Sequence, residues 1–285
     1  MPGMLMQARR AVTAARRLKW SGWTDRGRVR LNNEDAFLGV QFDAREIHHL
    51  GRIGEASLEH MDYVFAVSDG MGGARAGEHA SRIAVDKITT LLPHSYRQTA
   101  VGLEAGYAEV LAELCGRIHQ ALTYLGSSYK EYSGMETTLS LCWFAPDRMY
   151  FSHIGDTRIY YLPAKAGGIK QLSEDDTHVG WLFRNKKITE REARSHPRRK
   201  VLQKALGGDH QFVDPQVGVV GYESGDIFLL CTDGLVEGLH DDHLAEHLRE
   251  SDCRAADVNL AHGLVVKSLE KDGCDNTTAL VIEII

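Results

Sequence analysis

The chain has 285 residues, 43% hydrophobic and 25% charged, enough to bury a sizeable core in one large domain or two small ones. Thirty-three Lys and Arg against thirty-nine Asp and Glu give a formal charge of -6, which excludes a general attraction to nucleic acid or to anionic membrane. The absence of any uninterrupted apolar run near about 18 residues argues against a membrane span or signal core, so a cytoplasmic protein is expected.

Arg9, Arg10, Arg16, Arg17 and Lys19 all precede the first acidic residue, Asp25, and residues 1–19 are expected to form a basic, solvated tail. Residues 20–285 then read as a single domain, because no Pro/Gly/Ser-rich linker and no fixed-period repeat divides them. Residues 43–61 lack clear periodicity and suggest a loop or hairpin insertion. Ala80, Ile83, Ala84, Ile88 and Leu91 recur at helical spacing within a helical block at about 76–125. Short runs at 139–144, 149–154 and 158–162, rich in apolar, β-branched or aromatic residues and bounded by Asp, Gly or Pro, predict strands. Residues 178–200 are polar and basic and suggest a mobile flap beside a site. Further strands are predicted at 227–231 and 277–284, with a second helical block at 241–271 between them. Helices and strands thus cluster separately, which predicts an α+β fold with antiparallel sheets. Five cysteines without a C-x-x-C pair, two of them in strand-like runs, point to reduced, buried thiols.

Two apolar runs end alike, Phe65-Ala-Val-Ser-Asp69-Gly70 and Phe228-Leu-Leu-Cys-Thr-Asp233-Gly234, each presenting a carboxylate at a strand end. A following glycine permits a tight turn that frees both the carboxylate and a peptide carbonyl to approach a cation. Either Asp-Gly alone is more often a simple turn. With Glu34-Asp35 and Asp275-Asn276 added, four separated segments supply oxygen ligands, a set suited to Mg²⁺ or Mn²⁺, whereas zinc would ask for His or Cys.

Six motifs in order carry a resemblance over about residues 20–284. They are Arg30-x-x-Asn33-Glu34-Asp35, Asp69-Gly70-Met71-Gly72-Gly73 with Gly77-Glu78, Gly155-Asp156-Thr157-Arg158, His196-Pro197 leading to Ala205-Leu206-Gly207, Cys231-Thr232-Asp233-Gly234-Leu235, and Asp275-Asn276. The chain resembles the metal-dependent protein phosphatases of type 2C in their bacterial form. That resemblance implies an α-β-β-α sandwich, two antiparallel sheets flanked by helices, with two Mn²⁺ or Mg²⁺ ions in the cleft. It implies that Asp69 bridges both ions, that Asp233 and Asp275 complete one site, and that Glu34 with the Gly70 carbonyl serves the other. Asp35 would orient a metal-bound water, and Asp156 with Asp233 would hold a third, weaker ion. Arg30 would bind the substrate phosphate through its planar fork. The implied reaction is hydrolysis of phosphoserine and phosphothreonine by direct attack of a metal-bridging hydroxide. The implied partners are phosphorylated proteins, including a Ser/Thr kinase or its substrates, acted on by a monomer.

Other patterns fail on their surroundings. His243-Leu-Ala-Glu246-His247 fits the H-x-x-E-H zinc-peptidase signature, but it lies in a highly charged segment that reads as a solvent-facing amphipathic helix. Gly72-Gly73 lacks the rest of a phosphate-binding loop, and no serine sits in G-x-S-x-G. A silent module that reads phosphorylated partners would be expected to have lost a metal carboxylate, and Glu34, Asp69, Asp233 and Asp275 all remain. Three residues depart from the family pattern: Met71 stands where many eukaryotic relatives carry histidine, Glu136 where a small residue is expected, and Asp176 where histidine is common.

Overall fold

A computed structural model describes residues 16–43, 45–72, 75–100, 106–146, 148–165, 167–208, 213–249 and 259–285. Two antiparallel sheets lie face to face. The first contains β1 (Arg17–Asp25), β4 (Ile53–Ser57), β9 (Arg158–Leu162), β10 (Lys170–Gln171), β13 (Ile227–Cys231) and β14 (Thr277–Ile284), in the order β10-β9-β13-β14-β1-β4. The second is built on β2 (Asp35–Phe42), β5 (Asp62–Met71), β7 (Leu139–Phe144), β8 (Arg148–Ile154) and β12 (Gln216–Gly221). Short β3 (Ile47–His49) pairs the outer side of β2, while β6 (Glu136–Thr137) and β11 (Leu206–Gly207) extend the end of β5.

Side chains alternate across each strand, so a strand buried on both faces supplies two different cores. In β5, Val64 and Ala66 pack on α1 (Ala76–Ala100) and α2 (Tyr107–Ser128), with Ala84, Ile88, Leu111 and Ile118, while Phe65 and Val67 point between the sheets. In β14, Leu280 and Ile282 join that intersheet core, whereas Ala279 and Val281 face α5 (Asp233–Gly238), α6 (Asp241–Arg249) and α7 (Leu260–Lys271). The three cores define four layers, helix, sheet, sheet and helix. Each completely buried Leu, Ile or Phe contributes roughly 1.5–3 kcal/mol relative to its exposed state, which is why these strands read as unbroken apolar runs.

Two boundaries differ from the sequence reading. The expected tail at 1–19 overlaps β1: Arg17, Leu18 and Lys19 are strand residues, Leu18 is completely buried, and residues 1–15, with Arg9 and Arg10, lie outside the described residues. The strand was hidden because its flanking Arg17 and Lys19 point away from the core and form ion pairs with Glu55 and Glu283. Within residues 43–61 a hairpin is present, β3 turning back on β2, but β4 goes on to pair with β1 at the edge of the first sheet rather than forming part of an insertion. The polar stretch 178–200 contains two short helices, α3 (His178–Arg184) and α4 (Glu190–Ser195), the latter opened by a Thr189/Glu192 capping box. Among the described residues, no helix is long and apolar enough to cross a membrane.

The H-x-x-E-H segment forms α6, with Leu244, His247 and Leu248 buried and His243 exposed. The segment is thus the amphipathic helix expected from the sequence, with His247 joining the leucines on its packed face.

Candidate active site

Side chains from both sheets meet at one end in a cleft, where the chain places a carboxylate at the start or end of several central strands. Asp35 opens β2 and is the direct cross-strand partner of Asp69 near the end of β5. Asp233 follows β13, Asp275 precedes the neighbouring β14, and Asp156 lies where the chain crosses from β8 to β9.

Close backbone contacts hold these segments together. A Cβ on Gly70 would lie 1.9 Å from the Gly77 carbonyl oxygen, so only glycine permits this approach. A Cβ on Gly77 would lie 2.8 Å from the Gly70 carbonyl oxygen and 3.0 Å from the Glu34 carboxyl carbon, which places those two oxygen donors side by side. Gly234 is confined in the same way, 2.1 Å from the Asn276 carbonyl oxygen if it carried a Cβ. Asn276 ties the cleft's far wall: its Oδ1 accepts from the Glu34 amide at 2.9 Å, and its Nδ2 donates to the Arg26 and Asn32 carbonyls at 2.8 and 2.9 Å.

Few of the inner carboxylate charges are balanced by protein. Enclosure raises Asp69 well above the usual carboxylate range, and Asp35, Asp233, Asp156 and Asp275 raise it further. Asp156 rises likewise, through enclosure and then the charges of Asp233 and Asp175, against the opposing pull of Arg158 and Lys200. Burial pushes Asp35 up to about 7, although its Oδ2 accepts hydrogen bonds from Thr278 at 2.6 Å and Thr232 at 2.8 Å. Glu34 is raised by burial in spite of Arg30.

Asp275 is the exception: burial would raise it, but Lys200 and Arg30 hold it below the usual range. Arg30 Nη2 lies 2.9 Å from both Asp275 oxygens. Arg30 is at the mouth of the cleft between Val29 and Leu31, which are 67% and 89% exposed.

Two charged residues of this site were not singled out from the sequence. Lys200 Nζ lies 2.7 Å from Asp275, 2.9 Å from Glu237 and 3.2 Å from Asp233. Glu237 is four residues beyond Asp233 on α5, a spacing that puts both on one helix face and would have revealed it. Lys200 had no such signal, since it arrives from the polar limb that follows α4.

The residues were tested for their fit to divalent ions. Among the described residues, no three carboxylate, histidine or cysteine side chains form a ready-made cage around one point. The donors are nevertheless oxygen only, and Asp35 Oδ1 and Asp233 Oδ1 are buried without a hydrogen-bond partner among the described residues. Buried, unpartnered carboxylate oxygens are costly unless a cation or water completes them, so the set fits hard cations.

The departures have local reasons. Glu136 packs over Gly208, where a Cβ would lie 1.9 Å from Glu136 Oε1, and Gly208 adopts φ +61°. Asp176 fastens the Asp156 turn: its Oδ2 accepts from the Gly155 amide at 3.2 Å, and its own amide donates to the Gly155 carbonyl at 2.7 Å. Met71 ends β5 opposite Glu136.

The chain is similar to known proteins in sequence and in fold. A family model for protein phosphatase 2C matches residues 53–269. The serine/threonine protein phosphatase PstP of Mycobacterium tuberculosis is 32% identical over 271 residues, covering 94% of this chain and 45% of that protein. The serine/threonine phosphatase stp of Listeria monocytogenes is 30% identical over 261 residues, covering 91% of this chain and 93% of that protein. The chain thus spans about half the length of the mycobacterial relative and nearly all of the listerial one. Among solved structures, the S. agalactiae serine/threonine phosphatase matches with TM-score 0.77 at 25% identity, over 93% of this chain and 99% of that one. The catalytic domain of PstP in complex with two manganese ions matches with TM-score 0.69 at 27% identity, over 95% and 99%. The chain belongs to the protein phosphatase 2C family.

Proposed function

We propose that this chain is a metal-dependent protein phosphatase that removes phosphate from phosphoserine and phosphothreonine and opposes a Ser/Thr kinase. The observation that supports the reading most is the enclosed acidic cluster: burial raises Asp69, Asp35, Asp156 and Asp233, the last three raise Asp69 further, and two of their oxygens lack partners among the described residues.

In this reading Asp69, Asp233 and Asp275 would hold one divalent ion, and Asp69 with Glu34 and the Gly70 carbonyl would hold another. Bound Mn²⁺ or Mg²⁺ would supply positive charge against the phosphate dianion and lower the pKa of water between the ions. Asp35, anchored by two threonine hydroxyls through Oδ2, keeps Oδ1 free to accept a proton-bearing group in the cleft and aim it at phosphorus. Arg30, 47% exposed at the mouth, is placed to exchange Asp275 for two phosphate oxygens and to stabilise the charge that develops there. Asp156, tied down by Asp176 at the adjoining Gly155, is set to assist with a further ion.

The test is hydrolysis of p-nitrophenyl phosphate and of phosphothreonine peptides with added Mn²⁺. Activity should vanish in Asp69→Ala and Asp233→Ala while the circular dichroism spectrum is retained; wild-type turnover in either variant would reject the assignment.

A further inference from the structure

The cation most deeply engaged with the acidic cluster belongs to the protein itself. After α4 the chain returns through two tight turns, with the Arg199 amide donating to the His196 carbonyl and the Val201 amide to the Arg198 carbonyl, both at 3.1 Å. It then pairs Leu202 with Thr177. Lys200 lies on this return limb and sends its ammonium into the cleft.

A lysine ammonium has three N–H donors, and carboxylates at 2.7, 2.9 and 3.2 Å surround this one. Two of the three, Asp233 and Asp275, are the pair that the proposed function assigns to one divalent ion. One oxygen of each is therefore already turned onto a positive charge. An ion taking Asp233 and Asp275 could use the unpartnered Asp233 Oδ1, but with the lysine in place it would share Asp275 with the ammonium and stand against a like charge about 3 Å away, a repulsion that a partly enclosed cleft screens only in part. The lysine side chain is 39% exposed, so it has an open route out of the cleft.

We propose that Lys200 is a tethered cation that competes with the divalent ion for Asp233 and Asp275, so that filling this half of the site expels the lysine and loosens the 196–204 limb. The inference rests on the metal reading of the site. It makes Lys200 a positioning residue whose removal improves metal binding, the opposite of what a residue that merely braces the carboxylates would do. Glu237 takes part as the third carboxylate, and Arg199, 3.3 Å from Glu237, moves with the same limb.

The experiment is calorimetric titration of Mn²⁺ into the metal-free full chain, wild type and Lys200→Gln, paired with amide hydrogen exchange over residues 196–204. Lys200→Gln should bind Mn²⁺ at least tenfold more tightly. In wild type, Mn²⁺ should speed exchange in the limb; in the variant, exchange should be fast from the outset. Equal or weaker Mn²⁺ affinity in Lys200→Gln overturns the proposal. Wild-type exchange that Mn²⁺ leaves unchanged or slows also overturns it, and this readout needs no variant. If neither protein binds Mn²⁺, the metal reading falls and takes this inference with it.

Discussion

Two sets of enclosed charges lie on either side of Asp156, and they are balanced in different ways. On one side Arg158 grips Asp175 with its fork, Nη2 to Oδ2 at 2.7 Å and Nε to Oδ1 at 3.0 Å, and Gln171 donates to the same carboxylate at 2.7 Å. On the other, Asp69, Asp35 and Asp233 face one another, and Asp35 and Asp233 each retain an oxygen without a hydrogen-bond partner among the described residues. The first set is complete within the sequence and serves the fold. Within the chain the second is offset only in part, by Lys200 at Asp233, and the rest of its charge costs folding energy, as expected of a site that carries function.

The sharpest way to break that comparison is Asp69→Asn. We expect turnover to fall by at least about a thousandfold, equivalent to about 4 kcal/mol of transition-state stabilisation. The metal-free variant should nonetheless melt at a higher temperature than metal-free wild type, because a repelling charge has gone. A lower melting temperature would show that the cluster is not strained.

Arg158→Met should act in the opposite sense, lowering stability by about 3 kcal/mol, since it strands Asp175. Chemical denaturation will measure the loss, and Arg158→Met combined with Asp175→Leu should recover part of it. For Asp35→Asn, which keeps one oxygen for the threonine hydroxyls, turnover should drop by about 10- to 100-fold with the fold intact. Steady-state kinetics beside a melting curve separates the two.

The smallest effect concerns Asp62, far from the cleft at the start of β5. Burial pushes its carboxyl up to about 6, although Trp143 Nε1 donates to it at 2.8 Å. A carboxyl whose folded pKa is raised penalises the folded state fully above that pKa, and the penalty disappears below the unfolded value. Asp62→Asn should therefore stabilise the protein by about 1–2 kcal/mol at pH 7.5. The gain should shrink as pH falls through about 6 and be absent near pH 4. Melting temperatures across that range provide the check.

Legibility followed the physics of each segment. The strands at 139–144, 158–162, 227–231 and 277–284 were readable because both of their faces are buried and turn residues bound them. β1 was not, since its Arg17 and Lys19 make ion pairs and its buried stretch includes the small Ser21 and Gly22 beside Leu18 and Trp20. In β12, Gly218 lets Phe151 pack across it, and the strand shows little apolar pattern. Asp69 and Asp233 stood out in the sequence because each ends an apolar run and is followed by glycine, whereas Asp35, Asp156 and Asp275 carry no such mark and were singled out with their neighbours or through the resemblance. Lys200 could not be read, because its role depends on where a polar limb returns, and that is set by pairings such as Thr177 with Leu202 and Gln203 with Asp176.

The most direct measurement of the central claim is anomalous diffraction from crystals soaked in Mn²⁺. The account predicts two strong peaks sharing Asp69, one also reaching Asp233 and Asp275 and the other Glu34 and the Gly70 carbonyl. Crystals that hold Mn²⁺ elsewhere, or show none among these carboxylates, would contradict it.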